Sequence, residues 1–489
     1  MSKQRLIVMK FGGTSVGSAA RFRQCAEIVS KAAQRDRIVV VVSAVGGVTD
    51  LIFRTIEAAR HADTAATESY LKKFDAVHRE LIADLFDKSR CLAALDFAGG
   101  ISEQLRRACQ ALSALRSDIS AQTTDSLVAL GERISAWVLA NYLEQSGTAS
   151  AFVRAEDVII TDSGFGNAAP DMKATRSACH STLLPVLERG AVPVVAGYSG
   201  SNHEGRTTTL GRGGSDYSAT IIGAAAEADE VWIWTDVNGV LSADPRICPD
   251  ATTLSEISFA EAIELAYYGA KVIHPKAAYP AMDAGLPVWI KNSFQPEVPG
   301  TKITRETPPA NSPVKSITCV KNASLITLVT RRDIHPVELW GRLFLRLGQE
   351  RTEVLFATQS SPEHALGLVL RKEDSAAVLK LIENIFRIEL AQGILSPVEV
   401  NHDVAVVAVL GESMKGTCGV LGRVFSAVAR RQVSVIAVAQ GASELSICFA
   451  VPAQSAAEVV RSVHDEFCGK TEIAVPACVR PSVPAVPGA

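Results

Sequence analysis

The chain has 489 residues, 47% hydrophobic and 21% charged, enough apolar sequence for two to four domains with sizeable cores. Its net charge of −3 lacks the basic excess of a nucleic-acid binder. The aliphatic run Ile38–Val42 is too short to span a bilayer, Met1–Lys10 shows no apolar leader before a cleavage site, and the ten cysteines form no Cys-x-x-Cys pair. A cytoplasmic protein with reduced thiols, no membrane association and no metal site is expected.

The first elements set the pattern. Arg5-Leu6-Ile7-Val8-Met9-Lys10 is an apolar run ending in a lysine; Phe11-Gly12-Gly13-Thr14-Ser15-Val16-Gly17-Ser18 follows, and a helical segment runs from about Ala19 to Ala33. This predicts a buried strand turning sharply into a helix. The glycines allow close backbone approach to a ligand, free amides suit an anion, and Lys10 adds a point charge for a phosphate. A tight strand–helix turn with a surface lysine accounts for the same residues without chemistry. No Gly-x-x-x-x-Gly-Lys-Ser/Thr occurs, since Gly469-Lys470-Thr471 has His464 where the first glycine belongs. A Gly-x-Gly-x-x-Gly after the first strand and the protein-kinase signatures are missing too. The string Lys10-Phe11-Gly12-Gly13-Thr14-Ser15-Val16 resembles the aspartokinase signature of the amino-acid kinase superfamily.

Arg37–Val42 predicts a second buried strand, running into Ser43-Ala44-Val45-Gly46-Gly47-Val48-Thr49-Asp50. Ligands collect at such carboxyl ends in α/β sheets, although Ser43 and Thr49 could equally cap the next helix. From about Ala65 to Gln122, Leu71, Phe74, Val77, Leu81 and Leu85 form one apolar helical face, predicting a helical insertion over about 63–122. Ser126–Glu144 predicts one strong helix with Gly131-Glu132 inside it. Strands at Ala151–Val153 and Val192–Ala196 flank a helix around Thr175–Glu188. Gly197–Ala219 then carries Thr208-Thr209-Leu210-Gly211-Arg212-Gly213-Gly214-Ser215-Asp216 into an alanine-rich helix. Asp216 there reads as an N-cap by default, and Arg212 offers a fork suited to a carboxylate. Val231–Trp234 is a strand before Thr235-Asp236 and Asp244-Pro245-Arg246; a helix over Phe259–Tyr268 precedes Lys271-Val272-Ile273-His274-Pro275, with His274 read as structural.

Proline and polar residues place a linker at 296–313. Beyond it Val354–Glu363 recurs 81 residues later as Val435–Glu444, each with a helix before it and a strand and helix after it. That is a strand–helix–strand–strand–helix unit used twice. The tail 480–489 shows no helical period and is expected to be disordered.

The fold class expected is α/β, an amino-acid-kinase-like, mostly parallel sheet with helices on both faces over 1–295, followed by two α+β ACT-like units of ferredoxin-like plan over 314–400 and 401–479. The aspartokinase resemblance implies transfer of the γ-phosphoryl of ATP, with Mg²⁺, to the β-carboxylate of L-aspartate. It implies Lys10 and Asp216 as the catalytic pair and Ser43, Thr49, Glu132, Arg212 and Ser215 as aspartate contacts, Glu132 on the ammonium and Arg212 on the α-carboxylate. It implies nucleotide contacts at Lys10, Gly12, Gly13, Thr14, Ser15, Thr235, Asp236, Leu241, Arg246, Lys271 and Val272; Leu241 departs from the tyrosine many members carry. In the repeats it implies an amino-acid effector, threonine ahead of lysine, near Gln359, Gln440, Met414, Gly416 and Gly419, and a homodimer or homotetramer. Arg332-Asp333-Ile334-His335-Pro336 lacks the glycines of the second repeat, so at most one effector site, around Gln440, is expected. Another amino-acid kinase, such as a glutamate or acetylglutamate kinase, and a non-catalytic amino-acid sensor stay open as alternatives.

Overall fold

The computed structural model describes residues 4–115, 119–270, 272–308, 312–331, 336–360 and 364–468. Lys271, the Arg332–His335 loop and the tail 480–489 lie outside the described residues. The chain divides into two compact units, one of Met1–Val240, Ser255–Phe259 and Val272–Glu306, the other of Leu241–Leu254, Ala260–Lys271 and the remainder from Thr307.

The first unit is built on an eight-stranded sheet. Its strands are β1 (Leu6–Phe11), β2 (Arg37–Val42), β3 (Ser150–Val153), β5 (Val192–Ala196), β8 (Glu230–Thr235), β9 (Glu256–Ser258), β10 (Val288–Asn292) and β11 (Thr301–Thr304). A small second sheet joins β4 (Ile160–Thr161), β6 (Ser199–Asn202) and β7 (Thr207–Thr209). The main order is β3-β5-β2-β1-β8-β10-β11-β9, and every pairing is parallel except β10 with β11. All six residues of β1 are buried, so helices cover both faces of the sheet's centre. The helices are α1 (Ala19–Ala33), α2 (Val48–Arg60), α3 (Thr64–Leu85), α4 (Lys88–Leu115), α5 (Ala121–Val128), α6 (Leu130–Gln145), α7 (Met172–Thr182), α8 (Leu184–Glu188), α9 (Gly214–Ala225), α10 (Phe259–Tyr267) and α11 (Pro275–Ala284). All but the first residue of α10 falls in the second unit.

Two expectations change here. The single helix expected over Ser126–Glu144 is two helices, α5 and α6, broken at Ala129, which brings Glu132 into the first turn of α6. The segment read as a linker contains β11, whose Thr301 and Ile303 are buried against β10. Alternation of buried Thr301 and Ile303 with half-buried neighbours fits β11 between β10 and β9, which composition alone hides.

The second unit duplicates one plan. β12 (Ser316–Val329), α12 (Val337–Gln349), β13 (Val354–Ser360), β14 (Ala365–Arg371), α13 (Ser375–Ile385) and α14 (Arg387–Ala391) form one repeat. β15 (Glu399–Leu410), α15 (Val420–Ala429), β16 (Ala437–Gln440), β17 (Ser446–Pro452) and α16 (Ala456–Cys468) form the other. Each repeat has its own core, one around Trp340, Leu368 and Phe386, the other around Val407, Val424 and Phe449. The long strands β12 and β15 pair antiparallel, so the repeats share one sheet of order β13-β14-β12-β15-β17-β16. The outer strands β13 and β16 also approach within 8 Å between Cα atoms, so this sheet curves. Among the described residues eight cysteines are free thiols. Among the described residues no helix is long and apolar enough to cross a membrane.

Candidate active site

The carboxyl ends of β1, β2 and β5 open onto a cavity of about 660 Å³ in the first unit. Seven of the residues singled out from sequence for catalysis or substrate line it: Lys10, Ser43, Thr49, Glu132, Arg212, Ser215 and Asp216. They come from four separate stretches of chain, brought together by the parallel strand order.

Lys10 is the fifth of the six buried residues of β1 and lines the cavity. Asp216 lies in the first turn of α9, and its carboxylate is 2.5 Å from Lys10 Nζ. Asp216 is therefore not the N-cap. That position belongs to Gly213, whose φ of +69° favours glycine and where a Cβ would stand 2.4 Å from the Cβ of His274. The bare amides at the start of α9 face the same cavity, with partial positive charge suited to an anion. Likewise neither Ser43 nor Thr49 caps α2; Gly47 holds that position without a side-chain cap, leaving both hydroxyls to the cavity lining.

Glu132 is 3% exposed, and its Oε2 has no hydrogen-bond partner. Burial pushes its carboxyl up to about 8, against the opposing pull of the Ala44 and Glu132 backbone amides. Gly131 permits this placement, because a Cβ there would meet Val48 Cγ1 at 2.9 Å and Ala44 Cβ at 3.0 Å. A buried acid with an open oxygen is an energetic liability that a cationic ligand would relieve. Arg212 stands exposed at the rim. The cavity thus combines a cation paired to an acid, an acid awaiting a cation, and an exposed guanidinium.

The residues expected to hold nucleotide are less gathered. Gly13 lines the cavity. Gly12 donates its amide to Trp234 O at 3.4 Å, next to Thr235 at the end of β8. Thr14 is exposed, and the buried Ser15 Oγ is engaged with Ser293 Oγ at 2.8 Å. Thr235 Oγ1 donates to the exposed Asp236 at 3.2 Å, and Val272 is half-buried in the same unit. Leu241 and Arg246 fall in the second unit, where Arg246 forms a two-point pair with Asp244.

Sequence reasoning missed Asp50, Phe53, Gly166 and Tyr198 in the lining. Tyr198 has φ of +69°, rare for a bulky residue. Its neighbours Gly197 and Gly200 hinted at a tight turn, but nothing local marked the ring. Among the described residues no cluster of three or more His, Cys, Asp or Glu forms a metal cage.

In the second unit, Gln359 and Gln440 are exposed on the outer strands β13 and β16. Met414 is buried; Gly416 donates its amide to Glu444 at 2.8 Å, and Gly419 caps α15 with φ of +81°.

The amino acid kinase family model matches residues 5–292, and an ACT domain model matches residues 407–467. Fold and cavity are accordingly those of an amino acid kinase joined to an ACT-bearing region. A bifunctional aspartokinase/homoserine dehydrogenase of Haemophilus influenzae is 30% identical over 95% of this chain and 57% of its own length. The lysine-sensitive aspartokinase 3 of Escherichia coli is 32% identical over 94% of this chain and 99% of its own. Crystal structures of E. coli aspartokinase III superpose with TM-scores of 0.77 with aspartate and ADP and 0.78 with lysine and aspartate. Identities are 29% and 30%, and each covers 94% of this chain and 99% of that one. The chain belongs to the aspartokinase family. It spans a little over half the length of the bifunctional relatives it matches.

Proposed function

We propose that the chain transfers the γ-phosphoryl group of ATP to the β-carboxylate of L-aspartate, giving ADP and 4-phospho-L-aspartate. The observation that carries this reading is the single cavity holding the Lys10–Asp216 pair, the buried acid of Glu132 with its free Oε2, and Arg212. A β-carboxylate oxygen attacks the γ-phosphorus, the bond to the bridging oxygen breaks, and its electron pair leaves on ADP. A carboxylate is already ionised at neutral pH, so no general base is required. Catalysis then rests on alignment and on neutralising charge at the transferring group.

Lys10 supplies that positive charge, and Asp216 holds its ammonium in place. Glu132 receives the substrate ammonium, Arg212 the α-carboxylate in a two-point fork, and Ser43, Thr49 and Ser215 complete the pocket. The ADP bound in the E. coli relative supports nucleotide binding, and Gly12, Gly13, Thr14, Thr235, Asp236 and Val272 are proposed as its contacts. Ser15 is assigned to shaping that turn, since its hydroxyl is engaged internally. Mg²⁺, brought in with ATP, would neutralise phosphate charge beside Lys10 at the same cavity.

The second unit is proposed as an amino-acid sensor, with Gln440 as the main contact and Gln359 on the approaching strand β13. Lysine, bound in the E. coli relative, stands beside threonine as the effector to be titrated. A homodimer or homotetramer is proposed, with the exposed Val337, Leu345 and Ile388 as surface for a second copy to cover. A coupled assay of ADP release, run with L-aspartate and then with L-glutamate, tests the substrate. Release with aspartate alone supports the reading; equal release with both overturns it.

A further inference from the structure

Two segments of the cavity lining, around Gly166 and before Arg212, are held by an anchor that lies inside a helix. Asp125, on α5, is only 2% exposed. Its Oδ2 accepts from the backbone amides of Gly166 and Thr209, each at 2.8 Å, and its Oδ1 accepts from Thr209 Oγ1 at 2.7 Å. One carboxylate therefore ties the Gly166 loop to the end of β7, 43 residues further along the sequence. Gly166 lines the cavity, and Thr209 stands three residues before Arg212. The two segments also meet directly, since a Cβ at Gly211 would lie 2.6 Å from Asn167 Oδ1 and 3.3 Å from Gly166 O. Thr209 reaches the Tyr198 side chain as well, another part of the lining. A buried charge satisfied by three donors within one small region fixes their relative positions.

We propose that Asp125 is a positioning residue for substrate recognition: it clamps the Gly166 loop to the end of β7 and so sets where the following segment presents the Arg212 guanidinium. Asp125 touches no reacting atom. Its loss leaves Lys10 and Asp216 in place but lets the rim relax, so it weakens aspartate binding more than ATP binding. The inference rests on aspartate as the substrate.

The test compares Asp125→Ala with Asp125→Asn in the full chain. Asparagine preserves the clamp: its oxygen accepts from both amides, and its Nδ2 donates to Thr209 Oγ1, which turns its own proton away. The alanine variant is expected to raise the aspartate KM at least tenfold with the ATP KM within twofold, and asparagine to restore the aspartate KM to within threefold of wild type. Hydrogen exchange by mass spectrometry gives a readout independent of any substrate. In Asp125→Ala, protection should fall in peptides over 162–167 and 207–212 and persist over β1 and β2. A lowered kcat with unchanged KM values would show a merely structural residue and overturn the proposal. So would an asparagine variant as impaired as alanine. If Asp125→Ala yields no soluble protein, Thr209→Val carries the test. It removes one of the three bonds, with an expected aspartate KM rise of about threefold and faster exchange over 207–212; an unchanged KM overturns the proposal. Wild-type enzyme inactive on aspartate would instead sink the substrate assignment, while the exchange data would still read the clamp.

Discussion

Glu132 carries the most direct pH signature of the proposed site. Burial pushes its carboxyl up to about 8. At pH 7 roughly nine tenths of the molecules therefore hold the protonated acid, because a pKa about one unit above the pH leaves about one part in eleven ionised. An ammonium ligand binds the ionised form, so aspartate must lower this pKa and expel the proton. The sign follows: affinity rises with pH until about 8 and flattens above it. Ionising the acid at pH 7 costs about 1.4 kcal/mol, and each further pH unit downward costs about as much again, so aspartate affinity falls about tenfold from pH 7 to pH 6. The same shift acts on the fold. The native carboxyl keeps a proton that the unfolded chain releases above about 4.5, so this group's contribution to stability declines as pH rises from there through about 8. Calorimetric titration of aspartate at pH 7, in two buffers of different ionisation enthalpy, should show about 0.9 proton released per aspartate bound. Glu132→Gln should release none, lose about 2 kcal/mol of binding, roughly thirtyfold, and flatten the profile between pH 6 and 8. A wild-type enzyme that releases no proton, or a pH profile that persists in the glutamine variant, refutes the reasoning.

Lys10→Ala should lower kcat at least about a hundredfold with a smaller change in aspartate KM, since its charge acts mainly in the transition state; steady-state kinetics checks this, and a near-normal kcat contradicts it. Arg212→Lys keeps the charge but loses the fork, so aspartate KM should rise well before ATP KM does, and equal rises would remove Arg212 from the α-carboxylate. Calorimetric titration of threonine and lysine into wild type, Gln359→Ala and Gln440→Ala should show at most one site per chain, lost with Gln440. Its coupling to aspartate binding should be about 1–3 kcal/mol. Binding lost only with Gln359 would move the site to the first repeat.

The local chemistry of the site was legible where one stretch carries it. An apolar run ending in Lys10, two glycines and a helix period announce a strand–turn–helix, and β1 and α1 follow it closely. The doubled Val-to-Glu segment likewise announced two repeats. What no stretch announces is pairing across the chain. Lys10 and Asp216 meet because β1 sits centrally beside β2 and β8, with α9 starting over their carboxyl ends. Asp125 reads as an ordinary helical acid until its three donors appear from two distant segments. The break at Ala129 is invisible because the apolar stripe of Leu127, Leu130 and Ile134 runs through it unbroken. Each repeat's pattern also reads as self-contained, whereas β12 and β15 spend their edges on one another.

Capture of the product tests the central claim most directly. Hydroxylamine converts an acyl phosphate to a hydroxamate, which iron(III) colour and mass spectrometry both read. With the full chain, MgATP and L-aspartate, the account predicts aspartyl β-hydroxamate in step with ADP, little or none from L-glutamate, and at least about a hundredfold slower formation by Lys10→Ala. ADP released without hydroxamate, or hydroxamate formed from glutamate as fast as from aspartate, would contradict it.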